Sequence, residues 1–186
     1  MGSQEIAAKF RVDQAVLKAA RFAAKKHAGQ RRKGAAAEPY INHLLEVAEL
    51  VASALAEPDT NLVIAALLHD TVEDAEVTKE ELVETFGSDV ADLVMEVTDD
   101  KSLPKAERKR LQIVHASQIS VRAQVIKLAD KISNLRGILA SPPADWDIVR
   151  KRGYFEWAKR VVDGLSAPNQ MLKAEFERLH EKAGTF

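Results

Sequence analysis

The 186-residue sequence contains no cysteine. This absence excludes a disulfide framework, a thiolate metal site, an iron–sulfur cluster and a cysteine nucleophile, so any bound metal would have to use histidine and carboxylate ligands. Long apolar runs are missing too: no stretch approaches the ~18 uninterrupted apolar residues of a membrane span, and the N-terminus lacks the basic-then-apolar layout of a signal peptide. We therefore expect a soluble, cytoplasmic protein with no membrane partner.

The sequence also has no large excess of charge of either sign. Lysine and arginine total 27 and aspartate and glutamate total 28, which gives a formal net charge of −1. This balance disfavours a uniformly basic nucleic-acid binder, and we expect no nucleic-acid partner. The charges are nevertheless segregated along the chain: residues 73–100 hold eleven acidic residues and one lysine, whereas residues 101–110 hold five basic residues and one acidic residue.

Glycine is scarce, with 8 residues, whereas alanine occurs 29 times. Apolar residues recur at spacings of three and four nearly everywhere, and no run is typical of a strand, so the sequence predicts an all-α protein. We expect one multi-helix bundle domain over residues 1–186, with eight or nine helices joined by short loops. The predicted helix starts are Asp13, Pro39, Asp59, Thr78, Ser88, Pro104, Ser120, Asp145 and Pro168.

The most informative residues are His69 and Asp70, at the end of the predicted helix that follows Asp59. That helix is apolar almost all round, which predicts a buried central position. A charged aspartate beside a histidine in such a setting is costly unless it is paired, and a metal ion is one such partner. Adjacent helical residues point about 100° apart, so both reach one ion only beyond a helix end or edge. His43 and Asp130 are the candidates to complete the metal site.

An isolated His-Asp pair is more often a core histidine beside a capping aspartate than a metal site. Here a second acidic pair, Glu73 and Asp74, follows one helical turn later. Four ionisable groups then share one neighbourhood next to an apolar helix, and this grouping indicates catalysis rather than packing.

Several ordered motifs resemble the HD-type hydrolase domain of the Rel/SpoT alarmone enzymes. The similarity is greatest to the free-standing small alarmone hydrolases, which include the metazoan SpoT homologue, and it covers about residues 13–180. The motifs are PYINH from Pro39, AALLHDTVED from Ala65, VTDDK from Val97, KLADK from Lys127, NLR from Asn134 and YFEW from Tyr154.

This resemblance implies an all-helical HD-domain phosphohydrolase with one divalent metal ion, usually Mn²⁺. The reaction it implies removes pyrophosphate from the 3′ position of ppGpp or pppGpp, leaving GDP or GTP. Residue by residue, the implied metal ligands are His43, His69, Asp70 and Asp130, a mixed nitrogen and oxygen set that would also suit Fe²⁺, Co²⁺ or Zn²⁺. The implied catalytic pair is Glu73 and Asp74. Relatives specialised for synthesis lack this pair, so we expect an active hydrolase.

A substrate with four or five phosphates requires cationic side chains, and basic residues cluster at 31–33, 101–105 and 150–152. Taken singly, each cluster could equally be a solvated surface. The resemblance implies more specific roles: Arg32 stacks on the base, Lys33, Lys105 and Arg150 neutralise phosphates, Asn134 reaches ribose or base, and Tyr154 closes the pocket. The family often has a larger residue where this chain has Gly137.

Three other functions remain open from the sequence. The same site could serve an NADPH 2′-phosphatase, because both substrates carry a phosphate on a ribose 2′ or 3′ oxygen. A general HD-type nucleotidase is a more distant alternative. A non-catalytic alarmone sensor is the non-enzymatic alternative, which the intact Glu73 and Asp74 disfavour. In every case the expected partner is a small nucleotide, and the sequence leaves the oligomeric state open.

Overall fold

The computed structural model describes residues 3–185, with side chains described for residues 14–184, and confirms the predicted all-α class. Within these residues it contains ten α-helices, a short terminal 3₁₀ helix (Glu181–Thr185) and no strand beyond one isolated bridge between Arg31 and Pro39. The α-helices are α1 (Ser3–Lys26), α2 (Ile41–Ala54), α3 (Thr60–Leu68), α4 (Thr71–Asp74), α5 (Lys79–Phe86), α6 (Ser88–Val97), α7 (Lys105–Val114), α8 (Val121–Ala140), α9 (Ile148–Asp163) and α10 (Gln170–His180). No described helix has both the length and the apolar character needed to cross a bilayer.

Side-chain caps fix three of the predicted helix starts. Asp59 Oδ1 accepts a hydrogen bond from the backbone N–H of Leu62 at 3.0 Å and begins α3. Ser120 caps α8 in the same way, and Thr78 caps α5. These residues were predictable because a side-chain oxygen at this position satisfies an N–H that has no partner within the helix.

Five predicted starts were wrong. Pro39 lies before α2 and not in its first turn, because the helix begins at Ile41 after Tyr40. Helix α1 begins at Ser3 rather than after Asp13, because no glycine or proline interrupts the helix-forming residues before Asp13. Gly87, with φ of 91°, occupies the N-cap position of α6, and Ser88, the predicted cap, is the first residue of the helix. Asp147, and not Asp145, caps α9, and Asn169, and not Pro168, caps α10. Proline offers no side-chain acceptor, whereas Asn169 Oδ1 accepts from the Leu172 N–H at 3.1 Å.

The predicted count of eight or nine helices missed α4, a single turn directly after α3. Helix α3 ends at Leu68, so His69 and Asp70 form the junction between the two helices. The hydroxyl of Thr71 donates to the Leu68 carbonyl at 2.6 Å and fixes this junction. Because the junction breaks the helical repeat, two neighbouring side chains can face the same point, as the metal hypothesis requires.

Helix α3 lies at the centre of the fold, as predicted. Six of its nine residues are buried, and it packs against α1, α2, α6 and α8. Helix α8 is the second central element: it contacts α2, α3, α6, α9 and α10. The apolar side chains of these helices form one core cluster, and the site described below lies where α2, α3 and α8 meet.

The contact between α10 and α8 yields a stability prediction. Phe176 is fully buried on α10, so Phe176→Ala should lower the free energy of unfolding by about 3–5 kcal/mol, because it removes buried apolar surface and leaves a cavity. The measurement is urea unfolding followed by circular dichroism. Met171→Ala on the same helix is the matched control: its side chain is 52% exposed, and the change should stay within about 0.5 kcal/mol. Equal effects from the two substitutions would contradict this packing.

Candidate functional site

Four of the predicted residues converge at the junction between α3 and α4. Ligand atoms of His43, His69 and Asp130 all lie within 4.8 Å of one another. Asp70 adjoins this group, because its Oδ2 atom lies 3.1 Å from His69 Nε2 and 3.6 Å from His43 Nε2. The two histidines are buried, and the two carboxylates are largely buried beside them. We call these four residues the His/Asp cluster.

Hydrogen bonds on the far side of each ring orient both histidines. His69 Nδ1 lies 2.8 Å from the Ala66 carbonyl, which only accepts, so Nδ1 is the donor. His43 Nδ1 lies 2.8 Å from Ser133 Oγ, whose proton is donated to Glu46 Oε2 at 2.6 Å. Both Nδ1 atoms are therefore donors, and both Nε2 atoms face the carboxylates. His69 Nε2 is buried, and although it lies 3.1 Å from Asp70 Oδ2, their geometry is not that of a hydrogen bond.

The carboxylates give the cluster its negative charge. Burial alone would raise the pKa of Asp70, but the two histidines outweigh burial and hold that pKa well below its usual value. Burial would also raise the pKa of Asp130, but the Lys131 ammonium, 2.8 Å from Asp130 Oδ2, helps to lower it. Both groups are therefore ionised at neutral pH, even though they are largely buried.

A divalent metal ion fits this arrangement. Burial would lower the pKa of His69, but the negative charge of Asp70 raises it to about 9, so without a metal the ring takes up a proton. A divalent cation supplies positive charge in place of that proton and accepts the Nε2 lone pairs directly. The cluster, with two imidazole nitrogens and two carboxylates, can therefore hold a divalent metal ion.

The predicted acidic pair lies on α4, next to the cluster, and its two members have different surroundings. Glu73 Oε1 accepts from Arg108 Nη1 at 3.1 Å, and Glu73 Oε2 accepts from the Asp99 N–H at 3.4 Å. Burial, followed by the negative charge of Asp99, raises the pKa of Glu73. Asp74 instead forms an ion pair with Lys101 and accepts from Gln30 Nε2 at 3.2 Å.

A cavity of about 860 Å³ opens beside the cluster and the acidic pair, within the size range of small-molecule sites. All six predicted substrate-binding residues line it, as do Asp70, Glu73, Asp74 and Asp130. The six are Arg32, Lys33, Lys105, Asn134, Arg150 and Tyr154. His43 and His69 are buried and do not line it. The cavity thus has an acidic end, formed by the carboxylates, and a basic wall, formed by the lysines and arginines.

At one edge of the cavity, Arg32 lies against α8. Its Nη1 donates to Asn134 Oδ1 at 3.2 Å, and its Nη2 donates to the Ser133 carbonyl at 3.4 Å. A Cβ atom at Gly137 would lie only 2.6 Å from Arg32 Nη2. Gly137 therefore leaves the space that the guanidinium occupies, which explains why a small residue stands here.

Aromatic side chains support the basic wall. Tyr154 packs edge-on against Trp157, with ring centroids 5.2 Å apart, and burial raises the pKa of its phenol to about 12. The Arg150 guanidinium lies 4.7 Å from the ring centroid of Trp146. Tyr154 therefore stays a neutral hydrogen-bond donor across the physiological pH range.

Lys109 also lines the cavity, and its role was not predicted from the sequence. Its ammonium lies 4.4 Å from the ring centroid of Trp157 and 5.2 Å from that of Tyr154, and no described carboxylate lies within 4.0 Å of it. Burial, followed by the positive charge of Lys105, lowers the pKa of Lys109 to about 8. The four-residue spacing from Lys105 on α7 places both lysines on one helix face and could have identified it.

Two more cations in the cavity were missed for another reason. Arg108 binds Glu73, and Lys131 binds Asp130 while its ammonium lies 4.6 Å from the Trp157 ring centroid. Arg108 and Glu73 are 35 residues apart and meet only through tertiary packing, so no local pattern signals that pair. Lys131 directly follows Asp130 in the sequence, but its burial against Trp157 depends on the fold.

Comparisons with known proteins identify the family to which this chain belongs. A model of the HD domain family matches residues 19–153. The guanosine-3′,5′-bis(diphosphate) 3′-pyrophosphohydrolase MESH1 of Xenopus tropicalis is 48% identical over 169 residues, covering 91% of this chain and 94% of its own. The human protein of the same name is 47% identical with the same coverage.

A solved structure agrees with the sequence comparisons. It is that of a metazoan orthologue of SpoT that hydrolyses ppGpp, and it superposes with a TM-score of 0.87 at 43% identity, covering 92% of this chain and 97% of its own. The family match spans well over half of the chain, and the relatives match it over nearly their whole length. The chain therefore belongs to the HD domain family, among its small members similar to metazoan SpoT.

Proposed function

We propose that this protein is a metal-dependent hydrolase that removes the 3′-pyrophosphate of ppGpp or pppGpp, producing GDP or GTP and pyrophosphate. The observation that carries the proposal is the cavity itself, which joins the His/Asp cluster and the acidic pair at one end to a basic wall at the other. Such a division suits a polyphosphate that must be both neutralised and attacked by water. The names of the relatives point to the same reaction.

The proposed metal ligands are His43, His69, Asp70 and Asp130, and the proposed resident metal is Mn²⁺, which accepts mixed imidazole and carboxylate ligands. A divalent ion in this cluster supplies Lewis-acid chemistry, because it polarises a phosphoryl oxygen and lowers the pKa of water. The protein's own part is to hold both Nε2 atoms and both carboxylates in position. Ser133 and the Ala66 carbonyl do this for the histidines, and Lys131 does it for Asp130.

Glu73 is the proposed proton acceptor. Its raised pKa suits a group that takes a proton from the attacking water and releases it again. The water oxygen bonds to the 3′ phosphorus, the bond from that phosphorus to the ribose 3′ oxygen breaks, and the proton passes to this oxygen. Asp74, held by Lys101, is proposed to orient Glu73 or the water.

The basic wall is proposed to bind the substrate. Lys33, Lys105 and Arg150 would neutralise phosphates, and Arg32 would stack on the guanine at the edge next to Gly137. Asn134 lies between Arg32 and Asp130, and we assign it to the ribose. Tyr154 would close the pocket against a sugar or phosphate. Lys109 joins this set because its charge has no carboxylate partner nearby.

The activity is tested with metal-free protein reconstituted with Mn²⁺ and given ppGpp, NADPH and 5′-nucleotides in parallel, and ppGpp binding is measured on the same protein. We expect pyrophosphate from ppGpp and a much smaller release of phosphate from NADPH, with both lost when the metal is removed. Phosphate from NADPH alone would contradict the proposed substrate and indicate a 2′-phosphatase. Hydrolysis of 5′-nucleotides alone would indicate a general nucleotidase, and ppGpp binding without turnover would indicate a sensor.

The role of Glu73 is tested by Glu73→Gln, which keeps the shape of the side chain and removes its ability to accept a proton. We expect kcat for ppGpp to fall by about 10²–10⁴, with the affinity for Mn²⁺ unchanged. Glu84→Gln, at an exposed position of the neighbouring helix α5, should keep full activity. Full turnover by Glu73→Gln would remove Glu73 from the catalytic pair.

Lys109 gives a pH-dependent prediction. Its ammonium is charged below a pKa of about 8 and neutral above it, so kcat/KM for ppGpp should fall as the pH rises through about 8. Lys109→Arg should keep its activity up to pH 9, because a guanidinium stays charged. Lys109→Met should raise KM about tenfold at pH 7, as expected for one lost charge-assisted contact. Identical pH profiles for the wild type, Lys109→Arg and Lys109→Met would show that Lys109 does not contact the substrate.

A further inference from the structure

Tyr40 directly precedes α2, and its ring lies between two histidines. It stacks on the ring of His27, with centroids 5.2 Å apart and an angle of 24° between the planes. It meets His43 edge-on, with centroids 5.4 Å apart. His27 is itself buried, and its Nδ1 lies 2.5 Å from Gln30 Oε1. The ring of Tyr40 is therefore held on both sides, and its hydroxyl has a fixed direction.

That hydroxyl donates to Asp70 Oδ2 at 2.6 Å. Asp70 Oδ2 is also the oxygen that lies 3.1 Å from His69 Nε2, so it is the one that faces the His/Asp cluster. The Asp70 side chain accepts no hydrogen bond from the first turn of α4, although it stands at the N-cap position. Apart from its histidine neighbours, the hydroxyl of Tyr40 is thus what orients this carboxylate within the described part of the chain.

The two carboxylates of the cluster are supported differently. Asp130 Oδ2 is bound by Lys131, and Asp130 Oδ1 accepts from Asn134 Nδ2 at 2.6 Å. Asp130 therefore keeps one hydrogen-bond donor if the other is removed. Apart from the two histidines, Asp70 has a single neutral donor, the Tyr40 hydroxyl, which lies 30 residues away along the chain.

We propose that Tyr40 is a positioning residue that sets the affinity of the cluster for its metal ion by orienting Asp70. Tyr40 donates to the Asp70 oxygen that lies beside both Nε2 atoms, so it restricts Asp70 to the rotamer in which that oxygen faces the two histidines. Groups that hold metal ligands in this way typically contribute 10–100-fold to metal affinity or activity. This inference rests on the ligand assignment in the proposed function.

The test is Tyr40→Phe, which removes one oxygen atom and keeps both ring contacts. Metal-free wild-type and variant proteins are titrated with Mn²⁺ in a calorimeter. The variant should bind Mn²⁺ about 10–100-fold more weakly. Its kcat for ppGpp should return close to the wild-type value at saturating Mn²⁺, because the hydroxyl acts through Asp70 and not on the nucleotide.

Tyr154→Phe is the matched control, since it removes a phenol oxygen from the same cavity without touching Asp70. It should bind Mn²⁺ as tightly as the wild type. If Tyr40→Phe binds Mn²⁺ as tightly as the wild type, the inference is overturned. This holds even if the variant is less thermally stable, or if it loses activity that excess Mn²⁺ does not restore. Failure of the wild type itself to bind Mn²⁺ would instead overturn the proposed metal site.

Discussion

The structure depends on the need to neutralise two carboxylates that are largely buried next to two histidines. Asp70 and Asp130 remain ionised there only because positive charge lies within hydrogen-bonding or ion-pairing distance. Lys131 supplies part of that charge and is itself nearly inaccessible to solvent. Protonated histidines or a divalent cation must supply the rest, since an unpaired buried charge is very costly. The three central helices α2, α3 and α8 each carry at least one group of this cluster or end beside it.

The break between α3 and α4 connects this constraint to the cavity. Because the helix ends at Leu68, His69 and Asp70 both point into the cluster, and the next turn brings Glu73 and Asp74 to the acidic end of the cavity. Cations from α7 then cover this acidic end, as Arg108 does for Glu73. Of the eleven acidic residues in 73–100, only Glu73, Asp74 and Asp99 line the cavity, and four basic residues of the following stretch, Lys101, Lys105, Arg108 and Lys109, line it with them. The change from acidic to basic sequence therefore falls at the cavity.

Much of this arrangement could be predicted from local sequence. Apolar residues on every face identified α3 as buried, and side-chain oxygens identified the starts of α3 and α8. The start of α1 could not be found, because a helix in continuous helix-forming sequence needs no distinct signal. The pairing of Tyr40 with Asp70 could not be found either, since it joins residues 30 positions apart through tertiary packing alone. Local patterns identify which residues carry chemistry, whereas their supporting partners require the fold.

Lys33, Lys105 and Lys109 have no carboxylate within 4.0 Å among the described residues, although all three line the cavity. Lys101 and Arg108, by contrast, already form ion pairs with the acidic pair. An incoming polyanion therefore meets lysines for which no described carboxylate competes, and it breaks no ion pair to reach them. Only dissolved ions compete for these lysines. The strength of nucleotide capture should thus fall as the ionic strength of the surroundings rises, because dissolved ions screen these charges.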